Sequence, residues 1–242
     1  MLISSKGIVL HCMDYSETSV IVKVFTEQIG LQSYIVKGVR KKDARIKRNL
    51  FAPVSIIRLM ANHKEGEGLR LMREASCETQ LNGIAADMPK TAVSIFIAEL
   101  LSRAITAQMA DAKLFAFIEN AVVELDASTT PIATFPLSFA IELSQHLGFG
   151  PDNNHSVSAT CFDMLEGKFC THAPSHPFHF FEPLSSQLAA VLQNISTGLS
   201  ELNLPSPVRT ELLTKLLEYY RIHIPSFGLM KSVQVLSAVL NV

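Results

Sequence analysis

The 242-residue sequence predicts an α+β protein: a small antiparallel β-barrel or sandwich over residues 1–80, then a mainly helical domain over residues 81–242. Two observations carry this. Apolar residues alternate with a period of two as far as Gln80, and beyond it they recur at helical spacing. The charge changes sign at the same place. Residues 1–80 hold 13 Lys/Arg against 8 Asp/Glu, whereas the remainder holds 8 against 14. A near-neutral chain thus has a basic front and an acidic back, which points to an anionic partner for the front.

The β half contains about five strands. ISSKGIVLHCM is the first, and SVIVKVF follows with Val20, Val22 and Val24 on one face and Ile21, Lys23 and Phe25 on the other. Gly30 turns the chain into LQSYIVK. APVSIIRLM and GLRLMREAS flank the polar turn HKEGEG, which reads as a hairpin loop. Five such strands close into a barrel or sandwich.

In the helical half, Asp87 and Pro89 open a helix through KTAVSIFIAELLSRAITAQMA. DAKLFAFIENAVVEL and PIATFPLSFAIELSQHLG are further helices. Pro136 falls near the start of the latter, and Gly148 and Pro151 stop it. PLSSQLAAVLQNI, SPVRTELLTKLLEYYRIHI and LMKSVQVLSAVL complete the set. Residues 151–181 break the pattern and predict a short hairpin turning at Glu166-Gly167, followed by a loop.

Several classes are excluded or left without support. No apolar run reaches the roughly 18 residues of a membrane-spanning helix, so no membrane association is expected. MLISSKGIVL has no basic residue before its apolar part and no small-residue cleavage site, so we expect no signal peptide. Cys12, Cys77, Cys161 and Cys170 are scattered, which fits a reducing cytoplasm better than a disulfide framework. No GxxxxGK[ST], G-x-S-x-G, HExxH or DxD pattern occurs. Glu142 and His146, four apart on one helix, read as a surface pair. We find no assembled active site and expect no enzyme.

The least ordinary stretch is VKGVRKKDARIKRN. Lys37, Arg40, Lys41, Lys42, Arg45, Lys47 and Arg48 lie in twelve residues with one acid, Asp43. Such runs are commonly plain solvated loops. Here flanking strands present the run, Gly38 lets it turn, and Arg40 and Arg45 supply guanidinium forks suited to phosphate. Many point charges along one loop suit a polyanion. Tyr34, Phe25 and Phe51 are the nearby aromatics; Phe25 and Phe51 also read as core. The chain has no tryptophan, so charge is expected to matter more than stacking.

Cys161, Cys170, His172 and His176 lie within sixteen residues and are the residual candidates for a zinc site. No CxxC pair presents two thiolates on a tight turn, and Pro174 and Pro177 stiffen the histidine segment. No cofactor is expected.

With the basic loop placed after the third strand, the chain resembles the RecO family of bacterial DNA repair proteins. The resemblance lies in GIVLHCMDYSETSVIVKVFTEQIGLQSYIVKGVRKK, IFIAELLSRAI, SFAIELSQHLGFGPD and LLEYYRIHIPSFGLMKSVQVL, in the family's order across nearly the whole chain. It implies an N-terminal five-stranded OB-type barrel followed by a helical domain with a small hairpin insertion. It also implies a cytoplasmic, nucleoid-associated recombination mediator. Such a protein binds single- and double-stranded DNA, anneals complementary strands, and with RecR helps RecA replace single-stranded-DNA-binding protein. The family's DNA-binding cations map onto Lys37, Arg40, Lys41 and Lys42; Arg45, Lys47, Arg48 and Tyr34 are our extension. Many relatives carry a four-cysteine zinc module where this chain reads GPDNNHSVSATCFDMLEGKFCTHAP, so residues 151–181 resemble that hairpin without its first CxxC.

A competing reading is an adaptor whose basic loop binds an acidic protein partner. The resemblance also implies a receptor for the acidic tail of single-stranded-DNA-binding protein. Such a tail ends in an apolar residue and requires an apolar pocket rimmed by cations. Arg209, Lys215, Arg221 and Lys231, beside Leu and Tyr residues on the last helices, are our candidates.

Overall fold

The computed structural model describes residues 2–41, 43–62, 68–106, 109–195 and 204–240. They form two compact units, Met1–Ala127 and Ser128–Val242.

The first unit is built on five strands, β1 (Leu2–Asp14), β2 (Val20–Thr26), β3 (Gly30–Val36), β4 (Ile56–Asn62) and β5 (Arg70–Cys77). They close in the order β1-β2-β3-β5-β4. Closure depends on the length of β1, whose first half pairs with β4 and whose second half pairs with β2. Its register shifts between Val9 and His11. There Val54 donates to the Val9 carbonyl at 2.9 Å while Val9 donates to Ser55 at 3.0 Å. Val54 holds a left-handed φ of 56° to do this, a conformation β-branched residues rarely adopt. β3 runs parallel to β5, pairing Tyr34 with Arg70 and Ile35 with Leu71. Of the barrel or sandwich that the strand pattern allows, this is the barrel, closed with five strands in the OB-type form that the resemblance implies.

Val20, Val22 and Val24 point into the barrel and are fully buried, as their alternation requires. The opposite face of β2 is covered too. Phe25 packs 6.0 Å from Phe115, and Lys23 donates to the Ser102 carbonyl at 2.6 Å. Those partners belong to α2 (Met88–Ala104) and α3 (Ala112–Ala127), which follow the short α1 (Asn82–Ala86). Asp87 caps α2 by accepting from the Lys90 N–H at 2.9 Å, the start signal read in the sequence. Helix α1 was not anticipated, because five residues are too few to show periodicity.

The second unit comprises α4 (Phe135–His146), α5 (Leu184–Asn194), α6 (Ser206–His223) and α7 (Ser232–Leu240) with a small sheet. Pro136 occupies the first turn of α4, where its missing N–H costs nothing. The buried Tyr220 hydroxyl donates to the Ala140 carbonyl at 2.6 Å and joins α6 to α4. The sheet is formed by β6 (Cys161–Asp163), β7 (Lys168–Cys170) and β8 (His179–Phe180), in the order β7-β6-β8. The hairpin over Glu166-Gly167 is present, but the loop expected after it contributes a third strand. Phe162 of β6 meets Phe169, Phe180 and Tyr219, which seats the sheet on α6.

Candidate nucleic-acid interface

The basic segment joins β3 to β4. Gly38, at φ 75°, turns the chain out of β3, and Lys41 and Ala44 close successive turns onto Gly38 and Lys41. Arg48–Phe51 forms a short 3-10 helix. Between the cations lie Val39, Ile46, Leu50 and Phe51. Val39 and Phe51 belong to the barrel core, and Ile46 and Leu50 pack against it. The segment is therefore pinned by its apolar residues, with its charged ones held outward.

Lys37, Arg40, Lys41, Arg45, Lys47 and Arg48 are all exposed; Lys42 lies outside the described residues. Arg40 and Arg48 share one carboxylate. Asp14, at the end of β1, lies 3.6 Å from Arg40 and accepts a hydrogen bond from Arg48. The Arg48 hydrogen bond holds the Asp14 carboxyl below the usual carboxylate range. Lys37, Lys41, Arg45 and Lys47 make no ion pair with a described residue. At least four cations thus project into solvent from an anchored backbone, an arrangement suited to a chain of phosphates.

Other cations of the front half are committed elsewhere. Lys6 is paired with Glu119 at 2.8 Å, and Lys23 is sunk against Ser102, where burial lowers its pKa. Arg58 forms an ion pair with Glu78.

Tyr34 needs correction. Its side chain is wholly buried in the barrel, its pKa pushed up to about 12 by burial, and no face is open to a base. Phe25 and Phe51 are core as well. The aromatic exposed near the segment is Tyr15, 59% accessible in the β1–β2 turn. That turn touches the segment where Arg40 donates to the Thr18 carbonyl at 3.4 Å. The sequence reading passed over both Asp14 and Tyr15. An aromatic inside the polar run DYSETS was the available signal.

In the second unit, Arg209 donates to the Leu204 carbonyl at 2.5 Å and Lys215 is paired with Glu218 at 3.0 Å. Arg221 is exposed, with its Nε on the Leu217 carbonyl, and Lys231 is exposed near the start of α7. Lys215 also borders an open groove of about 250 Å³ floored by Phe180, Pro183, Leu184 and Val208. Glu182 and Glu211 share that rim, so its charge does not favour an acidic tail.

Cys161 and Cys170 are register partners across β6 and β7. The Cys170 thiol donates to the carbonyls of Cys161 and His172. The His172 ring meets the Thr171 hydroxyl at 2.9 Å, and His176 lies 3.3 Å from Asp163. No cluster of three or more His, Cys, Asp or Glu suited to a metal occurs among the described residues. The donor set does not converge as a tetrahedral zinc site requires.

No helix among the described residues is long and apolar enough to cross a membrane. Residues 1–80 match the family model for the Recombination protein O N terminal region, and residues 85–232 match that for the C terminal region. The chain is 33% identical over 239 residues to the DNA repair protein RecO of Bacteroides fragilis, with 98% of each chain covered. It is 30% identical over 237 residues to that of Phocaeicola vulgatus, again with 98% of each covered. To that of Flavobacterium psychrophilum it is 33% identical over 246 residues, with 100% of each covered. A closed OB-type barrel carrying an anchored basic segment, followed by helices, and matched by both family models in sequence order: the chain belongs to the Recombination protein O family.

Proposed function

We propose that this chain is a non-enzymatic mediator of DNA repair and recombination that binds single- and double-stranded DNA through its basic segment and anneals complementary strands. Family membership supports the repair role. The observation that carries DNA binding is the segment itself, whose cations stand outward because Val39, Ile46, Leu50 and Phe51 hold its backbone to the barrel. Lys and Arg side chains on such a support screen two phosphate backbones without reading bases, which is what annealing of arbitrary strands needs. With RecR, the protein would help RecA onto strands coated by single-stranded-DNA-binding protein. The candidate receptor for the acidic tail of the latter on the helical unit is Arg209, Lys215, Arg221 and Lys231, with the exposed Arg221 and Lys231 carrying the contact because Lys215 is paired with Glu218 and the groove beside it is rimmed by Glu182 and Glu211. Loss of tail-peptide binding on charge reversal at all four tests that.

The main test is a salt titration with labelled oligonucleotides. If about four phosphates are neutralised on a single strand, log K against log[salt] has a slope of roughly −3. Replacing Lys37, Arg40, Lys41 and Lys42 by Ala flattens that slope and slows annealing while leaving the melting temperature in place. An unchanged slope in this variant overturns the assignment.

A further inference from the structure

A second feature of the first unit adjoins the basic segment. An open groove of about 640 Å³ runs between the end of the barrel and helices α1 and α2. That volume falls within the range of small-ligand sites, roughly 300–1,000 Å³. One wall is the 3-10 helix and the turn into β4, and the other is the end of β5 with α1 and α2. Its apolar floor includes Leu50, Ile56, Leu81 and Ile84.

The polar lining is distinctive. Lys47 is its one cation, and no carboxylate lines it among the described residues. Thr91 and Ser94 spend their hydroxyls on carbonyls of their own surroundings. The side chains of Lys47, Asn49, Ser55, Ser76 and Thr79 make no hydrogen bond with a described residue. The groove therefore offers an ammonium, an amide and three hydroxyls above an aliphatic floor, with nothing to repel an anion.

We propose that this groove receives an unpaired nucleotide of a single strand whose neighbouring phosphates lie on the basic segment. The inference rests on the DNA-binding reading above and deepens it. Lys47 and Asn49 belong to both features, so a strand leaving the segment meets the groove without crossing another surface. Base edges mix donors and acceptors, and an amide with three hydroxyls can answer both. The several carboxylates of an acidic peptide tail are acceptor-only and would find one cation here. A base held in a duplex has its edge occupied and cannot enter, so the groove discriminates single from double strands where the phosphate contacts do not.

The absence of tryptophan from the chain gives a clean reporter. Ala85→Trp, on the exposed surface of α1 beside the groove, places the sole indole at its rim. Adding a single-stranded oligonucleotide should quench this fluorescence, and a duplex of the same length should not. In parallel, Ser55→Ala with Ser76→Ala, both groove positions outside the basic segment, should weaken single-strand binding by about tenfold. Duplex affinity and the salt slope should not change. The basic-segment variant, by contrast, should lose both substrates. If the groove variants bind single strands normally while the basic-segment variant fails, the groove proposal is overturned and the DNA-binding reading stands. If the basic-segment variant also binds normally, both fall. An indole that responds to an acidic peptide and not to the oligonucleotide would overturn the nucleotide assignment in favour of a protein tail.

Discussion

The carboxylate of Asp14 lies 3.6 Å from the Arg40 guanidinium and also accepts a hydrogen bond from Arg48. On the proposed DNA-binding reading, it occupies the position on these two arginines that a phosphate would take, and DNA would have to displace it. Replacing it by Asn keeps the shape, removes the competing anion and leaves two guanidiniums unneutralised. Asp14→Asn should bind oligonucleotides a few-fold more tightly at low salt, with a salt slope steeper by roughly 1. The pairs are exposed, so thermal stability should hardly move. Unchanged affinity and slope would show that Arg40 and Arg48 take no part in binding.

Tyr34 supports a second prediction. Its hydroxyl is buried in the barrel with no hydrogen-bond partner among the described residues. An unsatisfied buried hydroxyl costs about 1–3 kcal/mol, so Tyr34→Phe should be neutral or stabilising. The same burial raises its pKa from an ordinary value of about 10 to about 12. Because the folded state resists ionisation, the stabilising contribution is complete below pH 10. It is lost as pH rises from there through about 12. Tyr219 and Tyr220 are also shifted upward by burial and act in the same direction. The melting temperature should fall steeply above pH 10, and Tyr34→Phe should soften that fall. An alkaline limb identical in the two proteins would refute it.

Much of the barrel and little of the site's detail can be read in the sequence, for physical reasons. Val20, Val22 and Val24 announce their inward face because pleating imposes a period of two. The parallel pairing of Tyr34 with Arg70 leaves no such mark, since it joins segments 36 residues apart through the barrel's closure. Residue type also failed to say which side of β3 Tyr34 faces: a tyrosine serves equally as core and as stacking platform. In and beside the basic run, Val39, Ile46 and Leu50 were an available sign of anchorage that the sequence reading did not use, whereas Asp14, remote in sequence, left none. The third strand of the small sheet, His179–Phe180, is too short to show alternation at all.

Gly83 supports a stability prediction in the first unit. A Cβ built there would collide with the Asp126 carbonyl oxygen and stand 3.1 Å from its carboxylate. Those atoms are already engaged: Lys90 Nζ donates to the carbonyl and the Ile84 N–H to the carboxylate, both at 2.7 Å. Gly83→Ala must push the start of α1 away from the end of α3 and weaken both bonds. Overpacking of this kind costs about 1–3 kcal/mol, a fall in melting temperature of roughly 5 °C for a chain of this size. Oligonucleotide affinity per folded molecule should be unaltered. A melting temperature equal to that of the parent would mean that the two helices separate without cost.

The final prediction concerns the small sheet and metal. A structural zinc site needs four nitrogen or sulfur donors converging at about 2.0–2.3 Å, with its thiols ionised. Cys161 and Cys170 face each other in register, but each is engaged in ways that suit a protonated thiol. Burial, together with the neighbouring Cys170, pushes the Cys161 thiol up to about 11. Cys170 donates to two carbonyls. His176 is turned to Asp163, and that carboxylate is itself accepting from the Leu165 and Glu166 N–H groups that form the turn. The sheet is held instead by packing, with Phe162 against Phe169, Phe180 and Tyr219, and by Asn154, whose side chain both donates to and accepts from the Phe169 backbone. Elemental analysis of protein purified without chelator should therefore show well under one zinc per chain, and chelator should leave the melting temperature unchanged. Cys161→Ser should destabilise modestly through its buried hydroxyl, whereas Cys170→Ser, half-buried and already a donor, should be nearly silent. Stoichiometric zinc, or equal and severe losses from both substitutions, would show that the two thiols act together as ligands.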